Sequence, residues 1–334
     1  EIEGDPEVIQ FSGGEPTIHP QLLEMIQAAK DRGIRQVMVN TNGVRIARDD
    51  RFLEDLARLE PVIYFQFDGL RPETYLTVRG EDLLDMKLRA LDRLHQAGLN
   101  TVLVAAIERG VNVDEVGALV EFGLQHPAVR GAVFQPVTHV GRHMPFDPME
   151  RVTIPDVIHG IVDQTNGRFV LEDFVPVPCC FPTCQVNSYV LVDGEKTIPL
   201  PRLLNIDDYL DYITNRALPK LPNFGEVQKA LEGLCSASAV AGTEKTASQF
   251  QCACGPGMDL GYDLAHLNRH IFQIGIKDFM DPYTFNVKQA MKCCVGILVP
   301  DGRVIPFCTY NSVGYREHIR QQLVQEQAKA RTLA

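Results

Sequence analysis

The sequence predicts an α/β fold: a partial, TIM-like (β/α)6 barrel over residues 1–165, followed by a cysteine-rich α+β domain over residues 166–334. Three observations predict it. Short apolar runs alternate with stripes of helical period through the first half, as βα units of a parallel sheet require. Polar and glycine-rich segments recur just after those runs, where a barrel carries its working loops. All nine cysteines lie beyond that half, the first being Cys179.

Taken in order, the runs Val8–Phe11, 37–40, 63–67, Thr101–Ile107 and 132–137 read as buried parallel strands. Leu22, Leu23, Ile26 and Ala29 make a helical stripe that Pro20 opens and Gly33 closes. Leu84, Leu88, Leu91 and Leu94 make a second, closed by Gly98, and Val116, Leu119, Val120 and Gly123 a third. The chain opens on Glu1 and enters a strand almost at once, so the barrel is expected to lack its first strand, an earlier βα unit lying upstream. Pro176, Pro178, Pro182, Pro199 and Pro201 then mark a change of character. Beyond it, helices are expected over 206–215, 224–234 and 262–272, and a loop over 239–248. A hairpin over 295–306 should turn at Pro300-Asp301-Gly302 and bring Cys308 back toward Cys293 and Cys294. Residues 317–331 read as a solvated helix.

The net charge of −11 argues against nucleic acid or an anionic membrane as partner, and 45% apolar content suffices for a sizeable core. No stretch approaches the ~20 apolar residues of a membrane span, and Glu1-Ile2-Glu3-Gly4 does not begin a signal peptide. The odd cysteine count, the pairs Cys179-Cys180 and Cys293-Cys294, and the step Cys252-Ala253-Cys254 suit metal ligation better than disulfides. A reducing cytoplasm is the expected compartment. The competing reading, that a free cysteine is a small buried apolar residue, is strongest for Cys235.

The strongest local signal is Gln10-Phe11-Ser12-Gly13-Gly14-Glu15-Pro16-Thr17, a strand that empties into two glycines, a glutamate and a proline. Glycines let the backbone approach a ligand, and a carboxylate there can accept from an ammonium. Asn40-Thr41-Asn42-Gly43, Phe65-Gln66-Phe67-Asp68-Gly69, Arg79-Gly80, Glu108-Arg109-Gly110-Val111-Asn112 and Gln135-Pro136 follow at or after later strand ends. That ordered set resembles the radical S-adenosylmethionine (SAM) superfamily. The resemblance implies that Gly13, Gly14, Glu15 and Pro16 hold the amino group of SAM. It puts Asn40 and Asn42 near the methionine and ribose, Asp68 at the ribose and Arg79 at the carboxylate. Glu108 and Asn112 would line the ribose and adenine, and Gln135 would meet the adenine edge.

The departure from that pattern is the superfamily's CxxxCxxC loop, which would bind the radical-generating 4Fe–4S cluster and occurs nowhere in the sequence. The expectation is that it belongs to the upstream unit, and that this stretch alone cannot cleave SAM. In the second half, Pro178-Cys179-Cys180-Phe181-Pro182-Thr183-Cys184 and the segment from Met291 through Cys308 to Asn311 resemble the tetraether lipid synthase or dihydropterin methyltransferase-like group. That resemblance implies auxiliary iron–sulfur clusters. Two 4Fe–4S clusters, around Cys179, Cys180 and Cys184 and around Cys293, Cys294 and Cys308, would be completed by Cys235, Cys252 and Cys254, with one cysteine left over. By count alone, zinc fits four thiolates equally well.

The function expected is a 5′-deoxyadenosyl radical that activates a C–H bond, for coupling lipid hydrocarbon chains carbon to carbon. The alternatives are a radical SAM methyltransferase or maturase acting on a pterin-like or peptide substrate, a non-catalytic iron–sulfur electron carrier, and a zinc-stabilised binding module. Partners would be a small-molecule or lipid substrate and a reductant such as ferredoxin or flavodoxin. A lipid substrate would place the protein at the membrane periphery. His139 and His143 read as loop hydrogen-bonders, and Tyr283 and Tyr310 as core.

Overall fold

A computed structural model of the chain describes residues 6–140, 147–177, 181, 183–193, 196–202 and 270–333. Its first half alternates as expected. It runs β1 (Val8–Phe11), α1 (Leu22–Asp31), β2 (Gln36–Thr41), α2 (Val44–Arg48), α3 (Asp50–Arg58) and β3 (Val62–Gln66). Then come α4 (Pro72–Arg79), α5 (Leu84–Gln96), β4 (Thr101–Ile107), α6 (Val116–Gln125) and β5 (Val129–Pro136). Helices α1 and α5 stop short of Gly33 and Gly98, both at positive φ, as the stripes predict.

Strands β1 to β5 pair parallel in chain order, so every crossover moves the same way round the sheet. Right-handed crossovers taken in one direction put the helices on one face and curl the other inward, as in a barrel. Burial follows that geometry. Val37, Val39, Ile63 and Phe65 pack in one apolar core with Leu22 and Ile26 of α1, Leu91 and Leu94 of α5, and Leu119 and Val120 of α6. Phe67 stacks on Phe122 of α6 with ring centroids 5.4 Å apart. Asn40, Tyr64, Gln66, Ala106 and Gln135 alternate with buried strand positions and belong to the opposite, inner face.

After β5 come α7 (Ile154–Gln164), β6 (Val175–Pro176), β7 (Gln185–Asp193), β8 (Lys196–Pro199) and β9 (Ile271–Lys277). Strand β9 joins β5 in parallel, β7 lies antiparallel on β9, and β6 and β8 both pair with β7. Strands from both sides of residue 165 therefore share one nine-stranded sheet. Strand β9 corrects one expectation: the helix drawn over 262–272 cannot run to Phe272. Phe272, Ile274 and Ile276 are buried at period two, and pairing with β5 and β7 fixes the segment as extended. The helices expected over 206–215 and 224–234, and the loop over 239–248, lie outside the described residues.

The chain ends in α8 (Val287–Met291), an antiparallel hairpin of β10 (Gly296–Leu298) and β11 (Val304–Pro306), α9 (Phe307–Ser312) and α10 (Tyr315–Leu333). The hairpin turns where expected, with the Arg303 N–H donating to Asp301 Oδ1 at 3.0 Å. Val299, Ile305 and Ile319 form its small core, and Tyr310 packs there as predicted. Tyr283 does not: it is 66% exposed, on a turn before α8. Among the described residues no helix is long and apolar enough to cross a membrane.

Candidate functional site

The first loop is organised by Glu15. Its Oε1 accepts from the Thr17 N–H at 3.1 Å, the Thr17 hydroxyl at 2.7 Å and the Thr41 hydroxyl at 2.7 Å. Its Oε2 accepts from the Asn42 N–H at 2.7 Å. A carboxylate offers about four acceptor directions, so the protein's own donors take most of them. Glu15 thus binds the loop after β1 to the loop after β2, and Arg45 adds to the joint by donating to the Thr17 carbonyl at 2.5 Å. Gly13 sits at φ +146°, which only glycine adopts without strain, and nothing lies within 4 Å of a Cβ built on Gly13 or Gly14. The backbone here faces open space.

Next to it, three side chains from three strand ends form a row. Gln66 Nε2 donates to Asn40 Oδ1 at 3.4 Å, and Asn40 Nδ2 donates to Ser12 Oγ at 3.3 Å. Asn42 turns elsewhere: its Oδ1 accepts from the Val44 N–H at 2.9 Å and starts α2.

Asp68 is fully buried and holds Arg79 through two bonds, Nε at 2.8 Å and Nη2 at 3.0 Å, while also accepting the Ala106 N–H at 3.1 Å. Asn112, equally buried, donates to the carbonyls of Asp68 and Ala106, both at 2.8 Å, and accepts the Glu108 N–H at 2.9 Å. Together they clamp the ends of β3 and β4. Arg79, one-third exposed, is the member of this set that reaches the rim. Gln135 Nε2 donates to the Tyr64 hydroxyl at 3.1 Å across the inner face, and burial pushes the Tyr64 phenol up to about 12. Glu108 is half-buried at the end of β4.

Lys87, which the sequence reading passed over, lies within this framework. It is 1% exposed, and its Nζ donates to the carbonyls of Asn42 at 2.8 Å and Gln66 at 2.7 Å. Burial lowers its pKa to about 8. A signal was present: Lys87 falls between Leu84 and Leu91 on the apolar stripe of α5, where a lysine has no solvent to reach.

In the C-terminal part, Cys184 and Cys308 are buried, Cys293 is half-buried and Cys294 exposed. Lys277 Nζ donates to Cys184 Sγ at 2.9 Å. Burial pushes the Cys308 thiol up to about 11, and Cys293 and Cys184 add to the rise. Among the described residues no three His, Cys, Asp or Glu side chains stand close enough to hold a metal ion. Cys179, Cys180, Cys235, Cys252 and Cys254 lie outside the described residues, as does His143. The His139 N–H donates to Asp281 Oδ2 at 3.1 Å, tying the loop after β5 to the segment after β9.

The radical SAM superfamily pattern matches residues 1–123. The 7,8-dihydro-6-hydroxymethylpterin dimethyltransferase of Methanocaldococcus jannaschii is 32% identical over 346 residues, covering 94% of this chain and 68% of that protein. The GTP 3′,8-cyclase of Chlorobaculum tepidum is 37% identical over 132 residues, 38% of this chain and 39% of that enzyme. Among solved structures, a domain of pyruvate-formate lyase-activating enzyme from Bacteroides vulgatus aligns with a TM-score of 0.36 at 18% identity, covering 47% of this chain and 93% of that one. The enzyme anSMEcpe with bound AdoMet aligns with a TM-score of 0.34 at 14% identity, covering 47% of this chain and 45% of that one.

Proposed function

The chain belongs to the radical SAM superfamily, and from that premise we propose that its β1–β5 loops bind SAM for C–H activation leading to carbon–carbon bond formation. One observation carries the SAM assignment. The Gly13-Gly14 backbone faces open space beside a row of polar side chains that three neighbouring strand ends hold in place. Bound SAM would supply, on one-electron reduction with release of methionine, a 5′-deoxyadenosyl radical able to take a hydrogen atom from an unactivated carbon. The protein's share is position and exclusion of water. Gly13 and Gly14 leave their carbonyls open to accept from the methionine ammonium. Glu15 stiffens that loop from behind, Asp68 and Asn112 aim Arg79 at the rim for a carboxylate, and Gln135 stands over the inner face for the adenine.

The cysteine-rich part fits soft-metal chemistry: Cys184, Cys293 and Cys308 offer sulfur donors in one region, and the remaining C-terminal cysteines would complete the ligand sets. Iron–sulfur clusters held there would supply electron storage next to the barrel. A reductant such as ferredoxin or flavodoxin would deliver electrons. The substrate that accords with the dimethyltransferase relative is a small heterocycle that gains one-carbon groups. Lipid chain coupling is the second reading, favoured by the cysteine segments 178–184 and 291–311.

Equilibrium dialysis against labelled SAM tests the site. Gly14→Leu places a side chain into open space, so it should fold normally and lose SAM binding at least tenfold. A folded Gly14→Leu protein that binds SAM as tightly as the unmodified chain would place the site elsewhere. No cysteine here stands in the CxxxCxxC spacing, so reductive cleavage to 5′-deoxyadenosine is tested in protein that also carries such a loop.

A further inference from the structure

We infer that Lys87 is the positioning residue of the SAM site, joining the ends of β2 and β3 so that its ammonium sets how tightly SAM is held. The inference rests on the SAM reading of the β1–β5 loops given above.

The ladder between β2 and β3 ends at the pair Thr41 and Phe65. The next carbonyl on each strand, that of Asn42 and that of Gln66, has run past the last ladder pair. Both accept from Lys87 Nζ, at 2.8 and 2.7 Å. The ammonium thus extends the strand pairing by one step beyond the sheet, using a side chain that comes up from α5 behind it. Gln66 belongs to the polar row, and Asn42 to the joint that Glu15 makes. The Gln66 amide bonds Asn40, and the Asn42 N–H bonds Glu15. Holding these two carbonyls therefore fixes the spacing between the first, second and third loops.

An ion pair does not explain the lysine. The charged groups that face it are Asp68 at the end of β3, Arg79 on α4 and Glu15 after β1. The Asp68 carboxylate is taken by Arg79, and the Glu15 carboxylate by Thr17, Thr41 and Asn42. Nor does fold stability explain it. A lysine at 1% exposure, set 5.1 Å from the Phe65 ring centroid, gives up its hydration for two neutral carbonyls.

The sign of its titration separates the two roles. The folded pKa, near 8, lies below the unfolded value near 10.5. Between those values the unfolded chain binds more protons, so the Lys87 contribution to stability rises with pH across that window. A charge-assisted hydrogen bond weakens roughly twofold when the donor loses its charge, so the loop tether loosens over the same window. Stability and loop protection should therefore move in opposite directions, and the affinity lost beyond that due to the SAM ammonium, which itself titrates at about 8, is the share that Lys87 carries.

The experiment measures SAM affinity by equilibrium dialysis, and unfolding by urea, at pH 7 and pH 9 for the unmodified protein and for Lys87→Met. Hydrogen–deuterium exchange of residues 41–44 and 65–68, corrected for intrinsic rates, is read alongside. The unmodified protein should lose SAM affinity roughly three- to tenfold from pH 7 to pH 9. Its unfolding midpoint should rise relative to that of Lys87→Met, and protection of the two segments should fall. Lys87→Met should bind SAM about tenfold more weakly at pH 7 and lose less affinity by pH 9 than the unmodified protein, because the SAM ammonium, titrating at about 8, affects both alike. Unchanged affinity in folded Lys87→Met, or pH-independent affinity and protection in the unmodified protein, would overturn the inference. If the variant does not fold, the exchange series of the SAM-free unmodified protein decides alone. Absence of SAM binding at pH 7 would instead sink the site reading, and the exchange series would still judge the tether.

Discussion

Glu15 shows how a residue can be found by sequence while its partners within the protein cannot. Its motif was legible because two glycines, an acid and a proline followed a strand. What the carboxylate does was not, because its donors Thr41 and Asn42 lie 26 and 27 residues away. It secures the loop after β1 to the loop after β2. Glu15→Ala should therefore cost about 2–3 kcal/mol of fold stability, since it orphans several donors to a charged acceptor. Urea denaturation checks this, and an unchanged midpoint would mean that the loop is held by other contacts. The cysteines divide by burial. Cys294 should be alkylated well before Cys308 in metal-free protein, as peptide mapping after brief iodoacetamide treatment would show. Equal labelling would contradict the burial of Cys308.

At the scale of elements, the βα alternation was legible because the strands are short apolar runs and α1 and α5 are clean stripes closed by Gly33 and Gly98. β9 was not, since IFQIGIK also continues a preceding helical pattern, and only its pairing with β5 and β7 decides. The loop after β2 carries a sharper constraint. Gly43 adopts φ +80°, and a Cβ there would fall well inside contact distance of the Phe65 ring. Gly43→Ala should destabilise the protein by about 2 kcal/mol or more, combining backbone strain with overpacking. Because the Asn42 and Phe65 segments meet at that point, SAM affinity should fall with it. Thermal unfolding measures the first effect, and a wild-type melting temperature would show that the loop readily rearranges.

Across the whole molecule, the sheet carries the loops proposed for SAM on β1–β5 and passes through β9 to β7, so Lys277 at the end of β9 and Cys184 just before β7 meet at the edge of the barrel's own sheet. The His139–Asp281 bond and the Arg151–Asp281 ion pair at 2.5 Å fasten the two parts at the strand ends. Sequence placed the cysteines after the barrel but not beside its β5 edge, because that adjacency depends on β9 pairing over a long separation. The account stands on one claim, that the β1–β5 loops form a single SAM site. The SAM footprint in hydrogen–deuterium exchange tests it most directly. Protection on adding SAM should appear together in residues 12–16, 40–43, 66–70 and 106–112. Protection confined to one of these segments, or found only elsewhere in the chain, would contradict it.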